Sequence, residues 1–148
     1  MFKTSIVKQK DLKQKWYLIN AQGIRLGRLA TKVAGLIMGK NKVNKTNNLN
    51  NGDIVVVVNA GKVDIYKNKF QKKMYRTHSG YIGRLNERTF ADLIKTNPER
   101  IINNAVKGML PQNKLGKMLI KNLYIYPQEL HPHSAQKPEQ INIKYNNK

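Results

Sequence analysis

The residues of this sequence that are able to do chemistry are mainly cations, and many of them lie among aromatic side chains. Between positions 67 and 88, lysines and arginines are interleaved with Phe70, Tyr75, His78 and Tyr81. Lys and Arg bind phosphate oxygens, and aromatic and His rings stack on bases or sugars. This mixture is typical of a nucleic-acid-binding surface. We therefore interpret residues 67–88 as a basic segment that contacts a polyanion.

A turn that contains two glycines suggests a different chemistry, nucleotide binding. Gly23 and Gly27 follow an apolar run at 16–19 and open a helical pattern, which is where phosphate-binding loops lie. Only three residues separate these glycines, and no Lys-Ser or Lys-Thr follows, so the spacing of a Walker loop is not met. A dinucleotide fingerprint needs a third glycine. The spacing favours a tight turn that presents Arg25 and Arg28 to phosphate, and the alternative is a nucleotide-dependent enzyme.

Residue sets for catalysis or metal binding are sparse. The chain has no Cys, which excludes disulfides, thiolate metal sites and Cys nucleophiles. Its acidic residues are scattered, and we interpret Asp53 as a turn residue that accepts hydrogen bonds from nearby backbone amides. Without Cys, His78, His131 and His133 form no recognisable metal-ligand motif, so RNA contacts are favoured over a metal site. The sequence therefore predicts no enzyme, no cofactor and no metal.

The net charge sets the class of partner. Lys and Arg number 28 against 8 acidic residues, which gives a formal charge of +20. A polyanion is expected to neutralise this excess, because each phosphate contact releases counterions. No apolar run approaches the roughly 20 residues of a membrane-spanning helix, and no short apolar signal core is expected near Met1. We expect nucleic acid as the partner, with no membrane and no small-molecule substrate.

The spacing of apolar residues predicts the elements that position these cations. Trp16–Ile19 is interpreted as a first strand. Ile54–Val58 is a continuous β-branched run, which is typical of a strand buried on both faces. Leu26–Ile37 has the three- and four-residue apolar spacing of a helix, and Gly39 is expected to end it. Residues 40–52 are predicted to be a loop.

The second half of the chain is predicted to be mainly helical. We interpret Lys62–Tyr66 as a further short strand and residues 67–88 as irregular. Thr89 and Asn97 are expected to be the N-caps of two helices, the second of which Pro111 ends. The predicted pattern ends with a helix after Asn113, a last strand at Leu123–Tyr126 and an extended tail from Pro127.

Strands that alternate with helices predict an α/β domain with a mainly parallel sheet. With 148 residues, the chain is long enough for one hydrophobic core. We expect a single domain over residues 1–148, with a basic arm at 1–15, an α/β core at 16–126 and an extended tail at 127–148.

Five blocks of sequence, in order between residues 16 and 139, resemble one known family. The blocks are Trp16–Ala21 with Leu26–Thr31, Gly52–Ala60, Tyr75–Gly83, Arg100–Gly116 and His131–Pro138. Together they resemble the universal large-subunit ribosomal protein number thirteen, bacterial type. The resemblance implies a three-layer α/β/α fold, binding to large-subunit rRNA and early participation in subunit assembly. It also implies neighbouring ribosomal proteins as partners and no catalytic role.

We predict RNA contacts along most of the chain, because cations recur in every segment rather than in one block. Such a distribution favours RNA on several sides of the domain over a single groove. The predicted phosphate contacts are Arg25, Arg28, Lys40, Lys42, Lys69, Lys72, Lys73, Arg76, Arg84, Lys107, Lys114, Lys117 and Lys121. The predicted sugar, base or stacking contacts are Tyr75, His78, His131 and His133.

The predicted function is that of a structural protein of the large ribosomal subunit. Besides the nucleotide-dependent enzyme, a free regulatory protein that binds messenger RNA is an alternative. Lys greatly outnumbers Arg and Asn is abundant, which indicates an AT-rich gene. We therefore expect the protein in a ribosome of the plastid stroma or of the bacterial cytoplasm, with a mitochondrial ribosome as the weaker alternative.

Overall fold

The architecture is a parallel sheet with helices packed on it, and a separate hairpin. The computed structural model describes residues 7–143. For Asp11, which lies in this range, it describes only the backbone. In chain order, the strands are β1 (Trp16–Asn20), β2 (Ile54–Val58), β3 (Met74–His78), β4 (Leu85–Thr89), β5 (Leu123–Ile125) and β6 (Glu139–Gln140). The helices are α1 (Leu26–Ile37), α2 (Lys67–Lys72), α3 (Phe90–Thr96), α4 (Pro98–Met109) and α5 (Lys114–Leu119).

The main sheet has the strand order β5-β2-β1-β6, and each neighbouring pair is parallel. The second sheet is the antiparallel hairpin β3-β4. This arrangement confirms the predicted mixed α/β class with a mainly parallel sheet. The bounds of α1 and β2 agree with the prediction.

One face of the main sheet forms the hydrophobic core with the helices. Because β1 and β2 are in register, Tyr17, Ile19, Val55 and Val57 lie on this face, and all four belong to the core cluster. The crossovers from β1 to β2 and from β2 to β5 run in the same direction across the sheet. Right-handed crossovers therefore place their helices on the same face. In agreement with this, α1 contacts both α4 and β2.

The opposite face of the sheet is covered by the tail. Trp16 on β1 and Tyr124 on β5 lie on this face by register. The ring of His133 lies 5.1 Å from that of Trp16 and 4.6 Å from that of Tyr124. Beyond this contact the tail forms β6, which pairs with β1. The predicted strand at Leu123–Tyr126 is confirmed as β5, but it is not the last strand, because the later β6 is too short and polar to show a strand pattern.

Two further predictions in the middle of the chain are wrong. Residues 62–66 form no strand, and only an isolated bridge joins Arg25 to Asp64. Residues 67–88 are not irregular, because they contain α2 and both strands of the hairpin. No residue of α2 is buried, and the hairpin residues are exposed apart from the half-buried Tyr75 and Thr89. Without a buried face, these elements lack the apolar periodicity by which helices and strands are recognised.

The two predicted helix caps of the second half, Thr89 and Asn97, are confirmed, because each side chain accepts a hydrogen bond from a backbone amide in the first turn of α3 and α4 respectively. Asn113, which was not predicted as a cap, does the same for α5. Each cap satisfies one amide that the helix leaves without an intrahelical partner. Residues 40–52 contain no helix or strand, as predicted.

Gly39 and Gly52 bring the end of α1 against the start of β2. Gly39 has a φ of +65°, the left-handed conformation that glycine adopts readily at a helix end. A Cβ atom on Gly52 would lie 1.6 Å from the carbonyl oxygen of Ile37, so only glycine fits there. The outer parts of the predicted arm and tail, residues 1–6 and 144–148, lie outside the described residues.

Candidate nucleic-acid interface

The N-terminus of α1 presents an arginine that is held by an aromatic ring. Arg25 is the N-cap residue of α1, and its guanidinium carbon lies 4.5 Å from the centroid of the Tyr66 ring. Arg25 Nη1 also donates a hydrogen bond of 3.1 Å to the Tyr66 hydroxyl. This packing limits the rotamers of Arg25 and so positions its remaining donors. Arg28 lies in the first turn of the same helix.

The backbone amides of the glycine-containing turn are used inside the protein. Gly23 donates to the carbonyl of Lys62, Ile24 to that of Ala21 and Leu26 to that of Asp64. A phosphate-binding loop instead needs several free amides that point at the phosphate. The turn is therefore unsuited to cradle a nucleotide, and its geometry favours the interpretation of residues 23–28 as a structural turn that presents arginines.

The segment from α2 to the end of the hairpin is the most exposed basic surface. Lys69 and Lys72 lie on α2, where no residue is buried. The ammonium of Lys73 lies 5.4 Å from the centroid of the Tyr75 ring. On the hairpin, Arg76 Nε lies 2.6 Å from Glu87 Oε1, although the Arg76 side chain remains 68% exposed. These cations are accessible to a polyanion along the whole segment.

The tip of the hairpin combines exposed apolar and basic residues. The loop between β3 and β4 contains Gly80 and Gly83 at positive φ, and the Gly80 amide donates to His78 Nδ1. Tyr81 is 75% exposed and Ile82 is fully exposed, next to the exposed Arg84. An exposed aromatic ring beside cations is suited to stacking on a base.

The lysines of α4 and α5 are exposed on the opposite side of these helices from the core. Lys107 lies in the last turn of α4, Lys114 and Lys117 lie on α5, and Lys121 lies in the following 3-10 turn Ile120–Asn122. Lys107 and Lys117 line the same open groove between α4 and α5. Lys40, in the turn after α1, is likewise exposed.

Lys42 differs from the other predicted contacts, because its ammonium is used within the fold. Lys42 Nζ lies 2.6 Å from Asp53 Oδ1, and the side chains are 19% and 0% exposed. The same ammonium donates to the carbonyls of Lys13 and Asn51, while Asp53 Oδ1 accepts from the amide of Lys15. Asp53 therefore accepts from a backbone amide that is distant in sequence, and the prediction of a turn residue that bonds nearby amides is wrong. The pair ties residues 13–15 of the predicted arm to the core.

The two tail histidines belong to an aromatic cluster on the tail-covered face of the sheet. His133 Nε2 lies 2.9 Å from the hydroxyl of Tyr126, with which it shares a hydrogen bond. His131 Nδ1 accepts from the amide of His133. The rings of Trp16 and Tyr124 stack beside them, with centroids 5.9 Å apart. Because the His133 ring contacts those of Trp16, Tyr124 and Tyr126, it holds the tail to the sheet, whereas the His131 ring is near only that of His133 among the described rings.

Two arginines that the sequence did not single out lie close to Tyr75. Arg88 is the cross-strand partner of Tyr75 in the hairpin. Arg88 and Arg100 of α4 line one cavity together with Tyr75. Sequence reasoning missed them because residues 67–88 were not recognised as a hairpin. The pairing of Tyr75 with Arg88 places their side chains on the same face, which the sequence pattern alone did not indicate.

Neither metal binding nor membrane insertion finds a structural counterpart in the described part of the chain. Within residues 7–143, no group of three His, Cys, Asp or Glu residues is placed to hold a metal ion. No helix in the same range is both long enough and apolar enough to cross a bilayer.

Comparison with known proteins agrees with the resemblance seen in the sequence. The family model described as ribosomal protein L13 matches residues 14–132. The chain is 48% identical over 143 residues to the large ribosomal subunit protein uL13 of Trichormus variabilis, which covers 97% of this chain and 95% of the relative. It is 49% identical over 141 residues to uL13 of Thermosipho africanus, with 95% of each chain covered. It is 47% identical over 141 residues to uL13 of Desulfitobacterium hafniense, with 95% of this chain and 99% of the relative covered. Since the family match spans most of the chain and the relatives align over nearly their whole length, this protein belongs to the ribosomal protein L13 family.

Proposed function

We propose that this protein is a structural constituent of the large ribosomal subunit that binds large-subunit rRNA and supports early subunit assembly. Its partners are that rRNA and neighbouring ribosomal proteins, in a bacterial-type ribosome of the bacterial cytoplasm or the plastid stroma. The relatives that carry the name large ribosomal subunit protein support this placement. Its role is to hold RNA segments together, without a catalytic step.

The observation that carries the proposal is the large number of cations that the fold leaves without an acidic partner. The formal net charge is +20. Among the described residues, Lys42 and Arg76 form ion pairs with carboxylates, Lys8 and Arg28 also have interactions within the protein, and the other cations form no ion pair. The remaining charge repels itself in a free domain, and phosphates of RNA neutralise it with release of counterions.

The positions of these cations favour RNA on several sides of the protein. The N-terminus of α1, the hairpin and the α4–α5 segment are separate surfaces that extend from one core. The packed core fixes the backbone positions from which these cationic side chains extend. RNA strands that contact different surfaces are therefore held at a defined spacing. This is how a small rigid domain stabilises the convergence of RNA segments during assembly.

The salt dependence of rRNA binding tests the proposal. We expect the logarithm of the association constant to fall linearly with the logarithm of salt concentration, by about 0.9 per duplex phosphate neutralised, or about 0.7 per single-strand phosphate. A nearly flat salt dependence would contradict an electrostatic interface.

A triple variant tests one surface of the interface. Replacement of Lys114, Lys117 and Lys121 by Gln should reduce the slope by roughly 2 to 3 units, if each contacts one phosphate. The matched control has Gln at three exposed lysines outside the predicted contacts, at positions 32, 62 and 95, and therefore the same net charge. Equal slopes for the two triple variants would show that the charge acts only as a whole and that the α5 lysines make no local contact.

Sedimentation separates the ribosomal role from that of a free regulator of messenger RNA. We expect the protein to migrate with large subunits at low salt and to be released at high salt. Migration with messenger RNA and not with large subunits would favour the regulator. Saturable binding of ATP in equilibrium dialysis would favour the nucleotide-dependent enzyme, although the amides of Gly23, Ile24 and Leu26 are already hydrogen-bonded within the protein.

A further inference from the structure

A small cavity lies where the base of the hairpin meets α4. Its volume is about 70 Å³, and Tyr75, Arg88, Arg100 and Asn104 are among the residues that line it. The hairpin contributes Tyr75 and Arg88, which are direct cross-strand partners and so share a face. Helix α4 contributes Arg100 and Asn104, which are four residues apart and so lie on one side of the helix. The opposite side of α4 is buried in the core, which fixes the position of the helix.

The cavity is lined by hydrogen-bond donors without an acidic residue to balance them. Apart from Leu93, the lining side chains are Arg, Asn, Thr and Tyr, and none is Asp or Glu. Among residues 7–143, the ion pairs involve neither Arg88 nor Arg100. Two guanidinium groups that lack a carboxylate partner and face one small space form an arrangement suited to a bidentate anion.

The hydroxyl of Tyr75 is a further donor that lacks a partner. Its oxygen is buried and forms no hydrogen bond with any described residue. Burial raises the pKa of Tyr75, so the group stays protonated and keeps its hydrogen at neutral pH. A buried hydroxyl without a partner is unfavourable, and native structures generally provide one. The ring itself is held in place by the core and by the ammonium of Lys73.

We propose that this cavity, the Tyr75 cavity, binds one phosphate group of an RNA backbone. Arg88 and Arg100 hold its non-bridging oxygens, and the Tyr75 hydroxyl donates to one of them. The inference rests on the proposed function for the source of the phosphate, which is RNA. Inorganic phosphate has the same chemistry and is the second source that the experiment must separate.

The lining of the cavity favours a phosphate group over a neutral base, because its guanidinium groups form charge-assisted hydrogen bonds with phosphate oxygens. In this arrangement Tyr75 acts through its hydroxyl, and the face of its ring is not needed for stacking.

Three substitutions test the proposal in the full-length protein. The variants are Tyr75→Phe, Arg88→Gln and Arg100→Gln, with Lys95→Gln as an exposed control that removes one charge elsewhere. We expect each cavity variant to weaken rRNA binding about tenfold, as for the loss of a hydrogen bond to a charged group. Since Tyr75→Phe removes no charge, it should leave the slope of the salt dependence unchanged. Each Arg→Gln variant should lower that slope by the contribution of about one phosphate contact.

The stability of Tyr75→Phe separates a binding role from a structural one. The lost hydroxyl has no partner in the free protein, so we expect the urea midpoint to be unchanged or higher. Weaker RNA binding together with unchanged or higher stability supports the proposal. Wild-type RNA affinity in Tyr75→Phe, or a loss of stability that accounts for the weaker binding, would overturn it.

An experiment with inorganic phosphate distinguishes RNA from inorganic phosphate as the ligand of the Tyr75 cavity. We expect phosphate to raise the unfolding midpoint of the wild type and of Lys95→Gln, but not of Arg88→Gln. Loss of this phosphate effect with no change in RNA affinity would overturn the assignment to RNA. If the wild type binds rRNA with strong salt dependence and the cavity variants match it, this inference fails and the proposed function stands. If the wild type does not bind rRNA, the proposed function fails first.

Discussion

Replacing Lys42 by Met is expected to destabilise the fold by about 3 kcal/mol, because the carboxylate of Asp53 then stays buried without its ammonium partner. The Asp53 side chain is 0% exposed, and one of its oxygens, Oδ2, has no hydrogen-bond partner among the described residues. Met has nearly the length of Lys without its charge. The variant therefore removes the ammonium and keeps most of the packing.

The magnitude follows from the environment of the pair. Removal of one partner of a buried ion pair costs about 3 to 5 kcal/mol. We expect the lower end, because the Lys42 side chain is 19% exposed and water reaches it. The cost is also lowered because Asp53 keeps the hydrogen bond from the amide of Lys15. It is raised because the carbonyls of Lys13 and Asn51 lose a charged donor. In a domain of this length, this loss lowers Tm by roughly 6 to 12 °C.

Urea unfolding followed by far-UV circular dichroism measures the effect. The matched control is Lys45→Met, which removes an exposed lysine from the same loop and is expected to change stability by less than about 0.5 kcal/mol. In the double variant Lys42→Met with Asp53→Asn, no charge is left buried. We expect it to be more stable than the sum of the two single losses implies. A loss below about 1 kcal/mol for Lys42→Met, or simple additivity, would refute the assignment of Lys42 as the neutralising group.

The same variant tests the earlier prediction that Lys42 contacts phosphate. The salt slope of rRNA binding should equal that of the wild type under conditions where Lys42→Met is folded. A slope lower by one contact would show that the ammonium also reaches RNA.

Further predictions concern glycine, the tail and pH. Gly52→Ala should prevent stable folding, because its Cβ would lie 1.6 Å from a backbone oxygen. Gly35→Ala, whose Cβ would meet nothing within 4 Å, should instead raise the free energy of unfolding by about 0.5–1 kcal/mol. Thermal unfolding of the two variants measures the difference. Tyr126→Phe removes the hydrogen bond to His133, and we expect a loss of about 1 kcal/mol and faster proteolysis of the tail, with an unchanged cleavage rate as the contradicting result. Because burial raises the pKa of Tyr75 above 10.0, the native state retains the hydroxyl proton of Tyr75 at pH values at which the unfolded state loses it. The free energy of unfolding should then fall as pH rises above about 10, less steeply in Tyr75→Phe, as followed by urea titrations at each pH.

The sequence predicted those parts of the fold that bury an apolar face. The spacing in α1 and the β-branched run of β2 reflect burial directly, so their positions and bounds were predictable. The side chains of Thr89 and Asn97 were predictable as caps because their interactions are local, and Asn113, which was not predicted, caps α5 in the same way. Helix α2 and the hairpin were missed because they bury almost nothing of their own.

For the candidate interface, residue type and exposure were easier to predict than pairing. That most of the cations are accessible follows from the excess of positive charge. The roles of Lys42 and His133 did not follow, because each depends on a partner that only the folded chain brings near, Asp53 in one case and an aromatic cluster in the other. Arg88 and Arg100 depend in the same way on the packing of the hairpin beside α4.

The place of β6 in the sheet bears on when the protein is able to finish folding during its own synthesis. Strand β1 is translated early, yet its neighbour on one side, β6, is translated near the end of the chain. Until Gln140 has emerged, the amides and carbonyls on that side of β1 face water or another chain. The electrostatic repulsion between chains that carry +20 each opposes edge-to-edge association in this interval. We therefore expect the charge that we assign to RNA contacts also to oppose aggregation of the nascent protein before any RNA is bound.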